Sequence, residues 1–321
     1  MMHYRQIGNT DVHVSVLGLG GHEYLADGSS RGFHEDAAKA VTPGYLFEGF
    51  GGPQRRAVLK AALDAGINVL DATIDSEKEA LGRNLQEVGA PHEVYVQTRP
   101  EGMVYTYDPY NARMAQYDLL EAEVRRALGL LRRERIDFYN IAPMADAVEH
   151  DPDFLVKVAD NVRRLKDADL IRFACADTFS GEAMYLKEIA TGAFDAIYIN
   201  FNAANDCGRR AVLPAAAERG MAVFTREAFM KGALFAMGAE VGLTDRSRLA
   251  QMALKWNLLI PEVTLVMVGV DNETQLASDL AVLDDLTWTK EDADLLAQIK
   301  TSSTYQAYAA DRARRFGCGD G

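Results

Sequence analysis

The sequence predicts an α/β protein, a (β/α)8 barrel of eight parallel strand–helix units. An N-terminal β-hairpin plugs its bottom and an extra helix follows the last unit. Three observations predict this architecture. Short, nearly continuous apolar runs rich in β-branched residues recur along the chain, as parallel strands buried on both faces require. Amphipathic helical runs fill the gaps between them. No low-complexity linker interrupts the alternation, so residues 1–321 read as one domain.

The elements follow in order. Tyr4–Ile7 and Val12–Val16 flank the turn sequence Gly8-Asn9-Thr10-Asp11 and read as the hairpin. The eight strands are Val16–Leu19, Asn68–Leu70, Val94–Thr98, Ile136–Ile141, Ile171–Ala174, Ala196–Phe201, Met221–Thr225 and Thr264–Val268. The helices are Arg55–Ala65, Ser76–Val88, Asp118–Leu131, Phe154–Lys166, Gly181–Ala190, Arg209–Arg219, Arg246–Asn257 and Thr274–Leu283. In the first, Val58, Leu59, Ala62 and Leu63 fall at helical spacing and Gly66 stops the run. Ser76 followed by Glu79 has the form of a capping box. Lys290–Lys300 is the extra helix, and Arg312–Gly321 is expected to be a mobile or partner-dependent tail. A doubly wound open sheet is the alternative. It needs a GxGxxG turn after an early strand, and Leu17-Gly18-Leu19-Gly20-Gly21-His22 lacks the third glycine.

Composition narrows the function classes. The chain carries 34 Lys and Arg against 47 Asp and Glu, a net charge of −13, with 48% hydrophobic and 25% charged residues. That is the mix of an ordinary globular protein. The acidic balance argues against nonspecific nucleic-acid binding, which needs excess cations to meet phosphates. No apolar run approaches the ~20 residues of a spanning helix, so no membrane partner is expected. The start Met1–Gln6 is too polar for a signal peptide. Cys175, Cys207 and Cys318 are well spaced with no CxxC pair, so neither a disulfide framework nor a cysteine zinc site is expected, and a reducing cytoplasm is the expected setting. The expected partner is a small-molecule substrate. The long first loop, residues 21–52, with seven glycines and Phe33, Tyr45, Phe47 and Phe50, is expected to close over the site or form a homo-oligomer contact.

Several segments together resemble the aldo-keto reductase superfamily. Tyr4-Arg5-Gln6-Ile7-Gly8 with Val14-Ser15-Val16-Leu17-Gly18-Leu19-Gly20 is similar to that family's hairpin and first strand. Ala61–Asp71 resembles the segment that ends in its catalytic aspartate. Ser76-Glu77 with Leu81-Gly82, Arg135–Tyr139 and Leu170-Ile171-Arg172 also match, so the resemblance spans nearly the whole chain. It implies a barrel with a tetrad of Asp, Tyr, Lys and His, in which the tyrosine donates the proton. Here only Asp71 stands. Ala72-Thr73-Ile74-Asp75 holds no tyrosine, the lysine position carries Arg99 and the histidine position carries Ala142. The nicotinamide-contacting positions become Asp177, Thr178 and Tyr198, with Phe224 at the stacking position. The phosphate-gripping turn keeps Gly269 and Gln275, while Arg226 and Lys231 lie in the loop that covers the cofactor diphosphate. Asp271 replaces the arginine that reads a 2′-phosphate, which favours NAD over NADP if a nicotinamide binds.

The strand ends of such a barrel form its active-site face. This places His22, Glu23, Asp71, Arg99, Asp177, Asn200, Asn202, Arg226 and Glu227 around one cavity. Structural ion pairs, such as Asp71 with Arg99, are the plain alternative to catalysis. Arg99 can stabilise an oxyanion or grip a carboxylate, and His22 suits proton transfer. Tyr24, Tyr105, Tyr107 and Tyr110 are the candidate replacements for the missing acid, Tyr24 being in the same loop as His22. Glu23, Asn200 and Asn202 are candidate substrate ligands. No ligand spacing supports a metal site. Three functions follow. The first is an atypical NAD(P)-linked oxidoreductase acting on a small carbonyl or polyol, sugar-derived compounds included. The second is a redox-neutral lyase, dehydratase or isomerase on the same barrel without a nicotinamide. The third is a non-catalytic binding subunit.

Overall fold

The computed structural model describes residues 1–25 and 28–317. Its strands are β1 (Tyr4–Gln6), β2 (His13–Ser15), β3 (Leu17–Leu19), β4 (Val69–Asp71), β5 (Tyr95–Thr98), β6 (Ile136–Ile141), β7 (Ile171–Ala176), β8 (Ala196–Asn200), β9 (Ala222–Arg226) and β10 (Leu265–Val268). Strands β3 to β10 close into a barrel in sequential order, β10 pairing with β3, and every pair is parallel. The predicted (β/α)8 architecture is the observed one.

The antiparallel pair β1–β2 forms the predicted plug. Its Ile7, Val12 and Val14 are buried in one apolar cluster with Val69, Tyr95, Phe138, Phe173, Phe224 and Leu265 from the barrel interior. Along each strand inward residues lie two apart. The layer above this apolar floor is therefore set by register: Asp71 above Val69, Asn200 above Tyr198, Arg226 above Phe224, and Arg99 and Asp177 just past the ends of β5 and β7. The sequence thus puts its charges in the top layer because the lower layers are filled by apolar rings.

The helices are α1 (Phe33–Ala40), α2 (Pro53–Asp64), α3 (Asp75–Val88), α4 (Tyr117–Leu131), α5 (Ala145–His150), α6 (Phe154–Asp167), α7 (Glu182–Ala190), α8 (Val212–Glu218), α9 (Ala233–Glu240), α10 (Arg246–Leu258), α11 (Glu273–Leu280), α12 (Lys290–Ile299) and α13 (Ser303–Phe316). Among the described residues no helix is long and apolar enough to cross a membrane.

Three expectations are corrected. The capping box of α3 does not use Ser76 and Glu79. The helix begins one residue earlier, and Glu77 at its third position reaches back to the Ile74 amide. That frees Ser76 and Asp75 to accept hydrogen bonds from the amides of Phe47 and Gly44, so the long first loop is fastened to the start of α3. The stretch Arg312–Phe316 is the last turn of α13 rather than a tail. Ser302 caps that helix, and the Phe316 carbonyl packs so tightly on Gly181 that a Cβ there would lie 2.4 Å from it. Residues 318–321 lie outside the described residues. Cys175 is buried and free, but Cys207 is disulfide-bonded. Disulfides follow closeness in space, which chain spacing does not report.

Candidate active site

The mouth of the barrel is built from strand ends. Leu19 of β3 pairs with Leu70 of β4, which brings Gly21 against Asp71; a Cβ on Gly21 would stand 2.4 Å from the Asp71 carbonyl. His22 follows directly. Its Nδ1 is 2.7 Å from Glu77 Oε1. The other oxygen of Glu77 accepts from the Thr73 amide at 2.8 Å and the Thr73 hydroxyl at 2.6 Å. Both oxygens of this buried carboxylate are engaged, which holds the imidazole in one orientation. Burial pulls the His22 pKa down, but the charge and hydrogen bond of Glu77 outweigh it and hold the imidazolium above its ordinary range. Burial likewise raises Glu77, and His22 outweighs it, leaving that carboxyl at about 2. The His22 side chain is one-third exposed.

Asp71 is in the opposite state. It is 8% exposed, and its Oδ1 has no hydrogen-bond partner. Burial, with Glu77 adding, pushes its pKa up to about 6 against the pull of His22, Arg99 and Arg226. The expected Asp71–Arg99 ion pair does not form. Arg99, 7% exposed, has no carboxylate within ion-pair distance among the described residues, and its Nε has no partner. Its guanidinium stands over the rings of Tyr105 and Tyr107, 5.1 and 5.8 Å from their centroids. The β5 loop folds back over the mouth to supply these rings, and Arg99 packs on them as cation on π-face.

Arginine pairs elsewhere. Arg226 grips Asp177 with two bonds of 2.8 and 2.7 Å, and its Nε donates to Asn200. The same guanidinium covers Tyr198 at 4.6 Å. The Tyr105 hydroxyl donates to Asp177 at 2.8 Å, and burial with the Asp177 charge raises its pKa.

The remaining sequence candidates separate into those near this centre and those spent on the backbone. Tyr24 lies across Gly269, so that a Cβ on that glycine would stand 2.3 Å from its hydroxyl. Burial lifts its pKa to about 12. Glu23 accepts from the Gly51 amide and faces Arg31 at 3.7 Å, which ties the first loop down. Asn202 is fully buried and holds the turn after β8, donating to the Glu227 carbonyl and accepting from the Ala204 amide. Thr178 donates to the Pro143 carbonyl. Phe224 is fully buried edge-on to Phe138. Lys231 is exposed and pairs with Glu227. Gln275 bonds both the amide and the carboxylate of Asp271. Tyr110 stacks on His150. No group of three or more His, Cys, Asp or Glu side chains among the described residues is arranged to hold a metal.

Two residues of the site escaped the sequence reading. Glu77 was visible only as part of a helix start, and its signal was its place at the third helical position beside Thr73. Arg55 projects from α2 to the Gly20 carbonyl and lines a small cavity of about 20 Å³ behind Asp71 and Glu77.

Solved structures of similar fold share this barrel. An aldo-keto reductase, AKR11C1 from Bacillus halodurans, superimposes in its holo form with a TM-score of 0.68 at 18% identity, covering 96% of this chain and 100% of that one. Its apo form gives 0.64 over the same shares of the two chains, at the same identity. The chain has the aldo-keto reductase fold. A glycerol dehydrogenase, AKR11B4 from Gluconobacter oxydans, gives 0.68 at 18% identity over 92% and 94% of the two chains. No family model and no curated protein matches the sequence.

The family resemblance makes a nicotinamide the cofactor to test against these residues. They do not fit the contacts the resemblance implies. Asp177 is consumed by Arg226 and Tyr105, Thr178 by Pro143, Tyr198 lies under a guanidinium, Phe224 is sealed in the core, and Tyr24 covers Gly269.

Proposed function

We propose that this chain is a redox-neutral acid–base enzyme that moves a proton next to the carbonyl of a small oxygenated compound. The observation that carries this reading is the Glu77-held His22 beside a buried Asp71 that has no partner. Two ionisable groups whose surroundings push them into opposite roles are the working parts of such chemistry. At neutral pH Asp71, with a pKa of about 6, is a carboxylate ready to take a proton from carbon. His22, raised by Glu77, carries the proton that goes to the carbonyl oxygen or to a departing hydroxyl. Arg99 supplies positive charge for the enolate that forms between these events. One C–H bond breaks, the proton rests on Asp71, the electron pair moves onto oxygen, and His22 neutralises it.

The test is exchange without nucleotide. Dihydroxyacetone is incubated with the protein in D2O and loss of its C–H signal is followed by NMR. Exchange that falls at least a hundredfold in both His22→Gln and Asp71→Asn supports the reading. Exchange unchanged in the two variants overturns it.

A second reading is an NAD-linked oxidoreductase acting on a small carbonyl or polyol. It is favoured by the Asp271–Gln275 turn, where the carboxylate suits a ribose hydroxyl and repels a 2′-phosphate, and by the named activities of the neighbours in fold. Titration with NADH and NADPH, read by calorimetry, separates the two. Micromolar binding of either nucleotide puts the oxidoreductase first, and no binding up to millimolar concentrations removes it.

A further inference from the structure

Charges at the barrel mouth cancel in pairs with three exceptions, of which Arg55 is turned away behind Asp71 and Glu77 and donates to the Gly20 carbonyl. His22 is matched by Glu77 at 2.7 Å and Arg226 by Asp177 at 2.7 Å, and Arg31 and the Gly51 amide meet Glu23. Asp71 and Arg99 are the other two. Both are more than nine-tenths buried, each keeps an unpartnered polar atom, and no ion pair joins them. A buried cation without a counter-charge costs several kcal/mol, and a folded chain carries that cost where a ligand supplies the missing charge. The π-faces of Tyr105 and Tyr107 and a hydrogen bond to the Tyr105 side chain are a partial substitute, since they supply no full negative charge and leave Nε without a partner. Tyr107 and Phe179 are each more than one-third exposed at the rim beside this arginine, so the approach is lined by aromatic surface rather than by carboxylates.

From this we infer that the substrate is a small hydroxy- or oxo-carboxylate whose carboxylate sits on Arg99 while its adjacent oxygenated carbon lies between Asp71 and His22. The inference rests on the proton-transfer reading and names its substrate class. Arginine is the side chain suited to this task, because its planar edge meets both oxygens of a carboxylate. The anchoring also serves the chemistry. A carboxylate held on Arg99 fixes the neighbouring carbon at one distance, so the same C–H faces Asp71 at every turnover. In the elimination that such a substrate allows, Asp71 takes the proton from the carbon bearing the carboxylate. The C–O bond of the next carbon breaks, and its hydroxyl leaves as water with the proton of His22. The enol that results becomes the oxo-acid. No oxidant or reductant enters the balance.

The probe is glycerate, with glycerol as its uncharged counterpart. Calorimetry without nucleotide is expected to show glycerate binding at least tenfold more tightly than glycerol. The advantage is lost in Arg99→Gln and partly kept in Arg99→Lys, with both variants checked for folding by circular dichroism. Equal binding of the two probes, or glycerate affinity unchanged in Arg99→Gln, overturns the inference. If Arg99→Gln fails to fold, Arg99→Lys decides: a drop in glycerate affinity with glycerol unaffected supports the inference, and no drop overturns it. Proton exchange at the glycerate carbon separates this inference from the reading beneath it. Glycerate that binds through Arg99 without exchange leaves the substrate class standing and removes the proton transfer. Dihydroxyacetone that exchanges while glycerate does not bind leaves the proton transfer and removes the substrate class.

Discussion

Replacing Asp71 by asparagine should make the protein more stable while it abolishes turnover. The carboxyl is 8% exposed, with an unpartnered Oδ1, and burial moves its pKa from 3.8 to about 6. At ~1.36 kcal/mol per pH unit, the charged form costs the fold on the order of 3 kcal/mol. The sign follows from proton counting. Between pH 3.8 and 6 the folded chain holds a proton that the unfolded chain has released, so stability falls as pH rises through this window and stays low above it. Asparagine removes the charge but keeps a buried amide, whose incomplete bonding takes back about 1–2 kcal/mol. The expected net gain is therefore about 1–2 kcal/mol at pH 8, shrinking to nothing or to a small loss at pH 3.5. Urea unfolding of both proteins at the two pH values measures it. A variant clearly less stable than the parent at pH 8 refutes the reasoning, because it means that the carboxylate is favourably paired.

Glu77→Gln should lower the His22 pKa, since the larger raising influence is gone, only Asp71 still favours the charge, and burial and Arg99 still oppose it. A histidine ring NMR titration reads this directly, and an unmoved titration shows that Glu77 does not control His22. Arg226→Met should destabilise the fold by about 3–5 kcal/mol in urea unfolding, because the fully buried Asp177 loses its bidentate partner. Adding Asp177→Asn to that variant should recover a large part of the loss, and no recovery shows that packing rather than charge was lost.

The barrel was legible because each strand had to be apolar on both faces, so its sequence reads as an uninterrupted run. The placement of His22, Asp71, Arg99, Asp177 and Arg226 at one mouth followed from the same logic, since each lies at or just past a strand end. What did not follow was partnership. Asp71 and Arg99 flank neighbouring strands and invite pairing, yet the arginine lies over aromatic rings brought by its own loop. The distant Arg226 reaches across to Asp177 instead. Side-chain reach across a closed barrel depends on loop course, and loops carry no periodic signal. Glu77 was hidden for a related reason. Its helical position looked like an ordinary cap, and its second role appears only when β3 brings His22 beside it. Asn202 shows the converse, a polar residue at a strand end whose two ends serve a turn.

The resemblance and the geometry describe the same residues differently, and they differ most at Arg226. In the reductase pattern the positions of Asp177, Tyr198 and Phe224 face a flat cofactor ring. Here a guanidinium covers the tyrosine and holds the aspartate with two bonds. A buried bidentate pair is costly to break, by about 3–5 kcal/mol when one partner is removed, so a ring entering that space must displace it and leave two charges unsatisfied. Such a displacement consumes much of the roughly 8 kcal/mol that micromolar binding provides. The same pair fits a site without a ring. It silences the Asp177 charge, and so leaves the Arg99 guanidinium available to an anion. On the proposed reading, the substitutions at the cofactor positions and the arginine at the lysine position are one change, from a site built around a ring to one built around a charge.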